Sequence, residues 1–115
     1  MRELLVVDAA NTIGSVPDGW WRDRAGAVAR LRDALAGLAD GAVEVVLVAE
    51  GAARDVPSAG GVRVVGAPGS GDDAIVALVA ASDRPCVVVT SDRELRARVR
   101  ELGAGVRGPG TLPRW

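Results

Sequence analysis

Histidine and lysine are absent from this 115-residue chain, and cysteine occurs once. Without histidine there is no Ser-His-Asp or Cys-His hydrolase here, and no imidazole-bound zinc. Any metal would be held by oxygen ligands, which suits Mg²⁺ or Mn²⁺. Without lysine, Gly66-Ala67-Pro68-Gly69-Ser70-Gly71 is not a phosphate-binding P-loop, whose pattern ends in Lys followed by Ser or Thr. The dinucleotide G-x-G-x-x-G fingerprint is missing after the first predicted strand as well. The lone Cys86 has no partner for an intramolecular disulfide, which fits a reducing compartment. Set in Cys86-Val87-Val88-Val89, it reads as a small buried hydrophobe. No apolar run approaches the ~20 residues of a membrane span. Met1-Arg2-Glu3-Leu4 leads directly into a strand without a secretory apolar region, so the expected location is the cytoplasm.

What is present points to one globular domain. Hydrophobic residues make up 49% of the chain, enough for a single modest core. The net charge of −1 gives no general attraction to nucleic acid. Every basic residue is arginine, for which a GC-rich coding bias is the simpler explanation given the abundant Ala, Gly and Val. Arginine is nonetheless the residue suited to two-pronged phosphate contacts.

Leu4 to Val7 is a continuous apolar run, expected of a strand buried on both faces. A loop from Ala9 to Gly19 should follow. Asp18 is then a candidate N-cap for a helix from about Trp20 to Ala39, with Val28, Leu31, Leu35 and Leu38 forming one stripe. Asp40-Gly41 ends it. Val43 to Ala49, Val62 to Val65, Cys86 to Thr90 and Ala104 to Arg107 read as further strands. Helices are expected from Asp72 to Ala81, and from Ser91 or Asp92 to Leu102 with Leu95, Val99 and Leu102 inward. Gly51 to Gly61 has room for a turn or short helix, and Gly108 onward reads as a tail. Alternating strands and helices predict an α/β fold: three layers, with a central, mostly parallel sheet of about five strands.

Three acidic stretches fall where predicted strands end or helices begin: Asp8 to Asn11, Asp72-Asp73, and Thr90-Ser91-Asp92. In an open parallel sheet the carboxyl ends share one edge, where ligands bind. Each acid also has a plainer role. Asp8 could cap a loop, Asp72 or Asp73 could cap a helix, Ser91 could cap the next, and Asn11 is a turn former. Together at one edge they match metal-assisted phosphodiester hydrolysis, which needs no histidine. In Trp20-Trp21-Arg22-Asp23-Arg24, neighbours on a helix sit about 100° apart, so the two indoles cannot both face the core. One of them, with Trp20 the candidate, could stack on a base. Arg22 and Arg24 suit phosphate, or else an ion pair with Asp23 or Asp18.

The sequence resembles the PIN-like nuclease superfamily, especially the NYN branch that includes YacP-like ribonucleases. Val7-Asp8-Ala9-Ala10-Asn11-Thr12-Ile13-Gly14 looks like its first motif, Gly71-Asp72-Asp73-Ala74-Ile75 its central acidic motif, and Thr90-Ser91-Asp92-Arg93 its late one. The order and spacing match along nearly the whole chain. The resemblance implies Mg²⁺- or Mn²⁺-dependent cleavage of RNA. It implies Asp8, Asp72 and Asp92 as metal-binding, catalytic acids, Asp73 as a stand-in for Asp72, and Asn11 and Ser91 as supporting polar residues. Glu50 only loosely fills an extra acidic position. The competing expectation is a catalytically silent RNA- or protein-binding module on the same fold. A receiver-type domain is disfavoured because it needs paired acids after the first strand and a late lysine. A haloacid-dehalogenase-type phosphatase needs Asp-x-Asp where this chain has Asp8-Ala9-Ala10. Small size and an exposed tryptophan also suit a homodimer.

Overall fold

Runs of Val and Leu too short for helices are stable as strands covered on both faces. The computed structural model, which describes residues 2–115, uses them so. The strands are β1 (Glu3–Asp8), β2 (Val43–Ala49), β3 (Val62–Gly66), β4 (Cys86–Val89) and β5 (Gly105–Arg107). They form one sheet in the order β3-β2-β1-β4-β5, with every pairing parallel. The helices are α1 (Ala9–Gly14), α2 (Arg24–Leu35), α3 (Gly71–Ala81) and α4 (Arg93–Glu101). The expected three-layer α/β/α architecture is the one observed.

The chain steps from β1 outward to β2 and β3, then crosses back to β4 and β5. Parallel crossovers are right-handed, so reversing the direction of stepping moves the covering helices to the opposite face. Ile13 of α1 and Val28, Leu31 and Leu35 of α2 accordingly pack on Leu5, Val7, Val45 and Leu47. Ile75 and Val79 of α3, with Leu95 and Val99 of α4, pack on Leu4, Val6, Val46, Val48 and Val88. Cys86 is buried in this second core, its thiol 3.3 Å from the Arg84 carbonyl.

Several boundaries differ from the sequence expectation. The helix foreseen from Trp20 starts at Arg24, because the Asp23 carboxylate accepts the Gly26 N–H and caps it there. Trp20–Arg22 is a separate 3₁₀ turn entered through Gly19 at φ 82°, a left-handed conformation that favours glycine. Asp18 accepts the Trp20 N–H instead of capping α2. The long helix also ends early, at Leu35, with Ala36–Leu38 as a further 3₁₀ turn. The foreseen loop after β1 holds α1, whose six residues are too few to show a period. Leu102 lies past the end of α4 and is 47% exposed, so it is not part of that helix's inward face. In the tail, Leu112 and Trp115 pack against the α1/α2 core.

Gly66 closes β3 directly against the Arg54 carbonyl oxygen, where a β-carbon would overlap it. Gly66→Ala should therefore lower stability by about 1–3 kcal/mol, as overpacking against backbone does. Urea unfolding reads this; an unchanged midpoint would mean that the Arg54 segment yields without penalty.

Candidate active site

Chain order reverses between β1 and β4, and at such a switch point the carboxyl ends of the strands leave a crevice. Side chains alternate faces along a strand, so the row facing α3 and α4 can be followed off each strand end. In β1 it runs Leu4, Val6, then Asp8. In β2 it runs Val46, Val48 and, one step beyond the strand, Glu50. In β4 it runs Cys86, Val88 and then Thr90. Asp8 is opposite Val48, and Val7 opposite Val89, which sets Thr90 beside Asp8 and Glu50 one same-face step further along the line of β2. The first residues of α3 and α4 begin above this row and bring in Asp72 and Asp92.

Asp8 is only 4% exposed. Its Oδ1 accepts the Asn11 N–H at 3.3 Å and its Oδ2 accepts the buried Thr90 hydroxyl at 3.0 Å. The Thr90 hydroxyl oxygen in turn accepts the Asp92 N–H at 3.1 Å, and Arg96 Nε donates to the Thr90 carbonyl at 2.7 Å. Asn11 Oδ1 accepts both the Ser91 N–H and the Ser91 hydroxyl, at 2.9 and 3.0 Å. One bracket thus ties α1 to the turn between β4 and α4, and holds Asp8 inside it. Asp92, not Ser91, caps α4 through the Leu95 N–H. Glu50 Oε2 accepts the Gly71 N–H at 2.6 Å, fixing the start of α3.

Ser70 caps α3, so neither Asp72 nor Asp73 is needed for that role. Asp72 is half-buried beside the other acids, whereas exposed Asp73 reaches out to Arg98 at 3.1 Å. Burial, with the charges of Asp72 and Glu50 adding to it, pushes the Asp8 carboxyl up from 3.8 to about 6, against the lowering hydrogen bonds from Asn11 and Thr90. Burial also raises Asp72, with Asp92 and Glu50 adding to it and Arg98 opposing. Asp8 therefore feels the charges of Asp72 and Glu50, and Asp72 those of Asp92 and Glu50. The ion pairs among the described residues join Arg32 to Asp33, Arg84 to Glu44 and Arg98 to Asp73, and leave these four acids without a partner.

Mutually repelling oxygen donors of this kind match the chemistry of a hard divalent cation. Among the described residues no three of the acidic or thiol side chains converge as a ready-made metal cluster. Mg²⁺ commonly binds through one or two carboxylates and keeps several waters, so the donor set fits an ion held in that way.

Trp20 is half-buried against the α1/α2 core, and Trp21 is 55% exposed, as their adjacency requires. Their rings meet edge to face, with centroids 5.9 Å apart. The Arg24 guanidinium lies 5.3 Å from the centre of the Trp20 ring and that of Arg22 5.9 Å from Trp21. Neither arginine forms an ion pair with Asp18 or Asp23 among the described residues; both acids accept backbone N–H groups instead. Beside Glu50 a cavity of about 430 Å³ opens, walled by Trp20, Arg24, Ala9, Ile13 and Ser70.

The placements of Glu50 and Thr90 gained little weight from sequence alone. The signal was present in the two-residue alternation, which carries both onto the row of Asp8. No family model matches the chain, and no curated protein matches it. Among solved structures, the fold is similar to the crystal structure of a mutant of Rae1 (YacP) from Bacillus subtilis. The TM-score is 0.75 at 20% identity, covering 95% of this chain and 71% of that one. At that identity the likeness shows a shared fold.

Proposed function

We propose that this protein is a divalent-metal-dependent ribonuclease hydrolysing RNA phosphodiesters at the acidic edge of its sheet. The observation that carries the reading is a set of four carboxylates at the switch point, one of them buried, with no arginine paired to any among the described residues. Uncompensated buried charge is costly, so a site that keeps it is suited to a cation supplied from outside. The motif resemblance points to the same chemistry, and the neighbour bearing the YacP name supports the fold on which that resemblance rests.

Asp8 and Asp72 would hold the ion, with Glu50 and Asp92 adding negative charge. When bound, Mg²⁺ or Mn²⁺ supplies Lewis acidity and a water of lowered pKa. Thr90 and the Asn11 N–H fix the Asp8 carboxylate in one orientation, and the Asn11–Ser91 bracket keeps α1 and the turn before α4 at a constant separation. Arg22 and Arg24 present guanidinium groups to the RNA backbone, and the Trp20–Trp21 pair offers aromatic surface to its bases.

The test is cleavage of labelled single-stranded and structured RNAs in Mn²⁺, Mg²⁺ or EDTA. Asp72→Asn should lower the rate by about 100-fold, the size of losing one preorganised charge contact. Asp73→Asn should leave the rate within about twofold, because exposed ion pairs contribute little. Equal losses in both variants would contradict the assignment of Asp72. The second reading, a silent binding module, draws on the lack of a ready-made metal cluster among the described residues. RNA binding that survives both EDTA and Asp8→Asn, with no cleavage in any metal, would favour it.

A further inference from the structure

We infer that the cavity beside the acidic edge is a base pocket, which takes one nucleobase of the strand whose phosphate lies at Asp8 and Asp72. The location of that phosphate rests on the ribonuclease reading; the pocket's preference for a flat heterocycle rests on its walls. At about 430 Å³ the cavity has the size of a small-ligand site and exceeds a single base. Ala9, Ile13 and Val28 give it an apolar floor, and the Trp20 indole and Arg24 guanidinium form one wall. Bases stack on both aromatic rings and guanidinium planes.

The polar groups decide which class of occupant fits. Glu50 spends one carboxylate oxygen on the Gly71 N–H, and a carboxylate has about four acceptor sites in all. Glu50 and Ser70 both line the cavity, where the N–H-bearing edge of a base would use that remaining capacity. Arg24 has no ion-pair partner among the described residues. An apolar side chain placed here would strip water from Glu50 and Arg24 and give nothing back. A sugar would lack the flat face that the indole and guanidinium wall offers. A nucleobase has both the flat face and an edge of N–H and carbonyl groups.

The position of Glu50 adds a second argument. Its charge is felt by Asp8 and by Asp72, so the same residue belongs to the pocket and to the acidic row. A base seated in the pocket has its own sugar-phosphate beside the acids. The pocket would therefore select the nucleotide next to the bond that is cut.

The experiment is an NMR titration of the whole protein in EDTA with the four nucleoside 5′-monophosphates, and with ribose 5-phosphate as the baseless control. The three indole N–H signals are assigned through single Trp→Phe variants. At least one nucleotide should move the Trp20 signal with millimolar affinity, leave Trp115 in place, and exceed ribose 5-phosphate by about tenfold, the scale of one stacked base. Trp20→Phe should keep most of the binding, and Arg24→Ala should lose it while the remaining spectrum shows an intact fold. No response at Trp20, or an equal response to ribose 5-phosphate, would overturn the inference. Because no metal is present, the readout does not depend on cleavage. Binding by a protein that never cuts RNA would uphold the pocket and sink the ribonuclease reading. Metal-dependent cleavage without base binding would do the reverse.

Discussion

Asp8→Asn is expected to leave the protein folded and to abolish most metal-dependent RNA cleavage. The side chain keeps its size, and its amide oxygen still accepts a hydrogen bond from Asn11 or Thr90, so the bracket around it survives. What is lost is negative charge at the centre of the acidic row. Removing one preorganised electrostatic contact slows reactions by about 100- to 1,000-fold, and a lost metal ligand belongs at the upper end of that range. Single-turnover cleavage in Mn²⁺ measures it, with circular dichroism confirming the fold. Undiminished cleavage would remove Asp8 from the chemistry and, with it, the proposed location of the site.

In EDTA the same variant should be more stable than the wild type at neutral pH, by about 3 kcal/mol. The Asp8 carboxyl has a folded-state pKa raised from 3.8 to about 6, so folding favours its protonated form. That contribution is fully present below the unfolded value of 3.8 and is lost as pH rises through about 6. A change from 3.8 to about 6 corresponds to about 3 kcal/mol. Asparagine has no charge to bury, so the two proteins should unfold together near pH 3 and separate by roughly 10–15 °C near pH 7. Adding Mg²⁺ or Mn²⁺ should raise the wild-type melting temperature and move the variant little. Equal stability at both pH values would mean that the Asp8 charge is already compensated inside the fold.

The strands were legible because Val and Leu runs buried on both faces have few other uses, and β2 fell on the expected residues, Val43–Ala49. The acids stood out because charge at the end of such a run needs a reason. Helix starts were harder to read. Asp18 and Asp23 both have the chemistry of a cap, and the left-handed Gly19 between them decides which one caps α2. Glu50 and Thr90 were harder to weigh, because Thr90 reads as the last residue of a strand and Glu50 as a loose fit for an extra acidic position. Their importance comes from register across three strands, a relation no single stretch of sequence contains. The cavity was illegible for the same reason, since its walls come from α1, the Trp20 turn, the end of β2 and the loop before α3.

The hydrogen bonds from Ser91 to Asn11 and from Thr90 to Asp8 span 80 and 82 positions of the chain. During synthesis, β1, β2 and α2 leave the ribosome first and have each other to pack against. Asp8 then has neither the Thr90 hydroxyl nor the neighbouring Asp92, and the crevice lacks one bank until β4 slots in beside β1. The acidic edge is complete only when the last third of the protein, which carries Thr90 and Asp92, closes on its first strand.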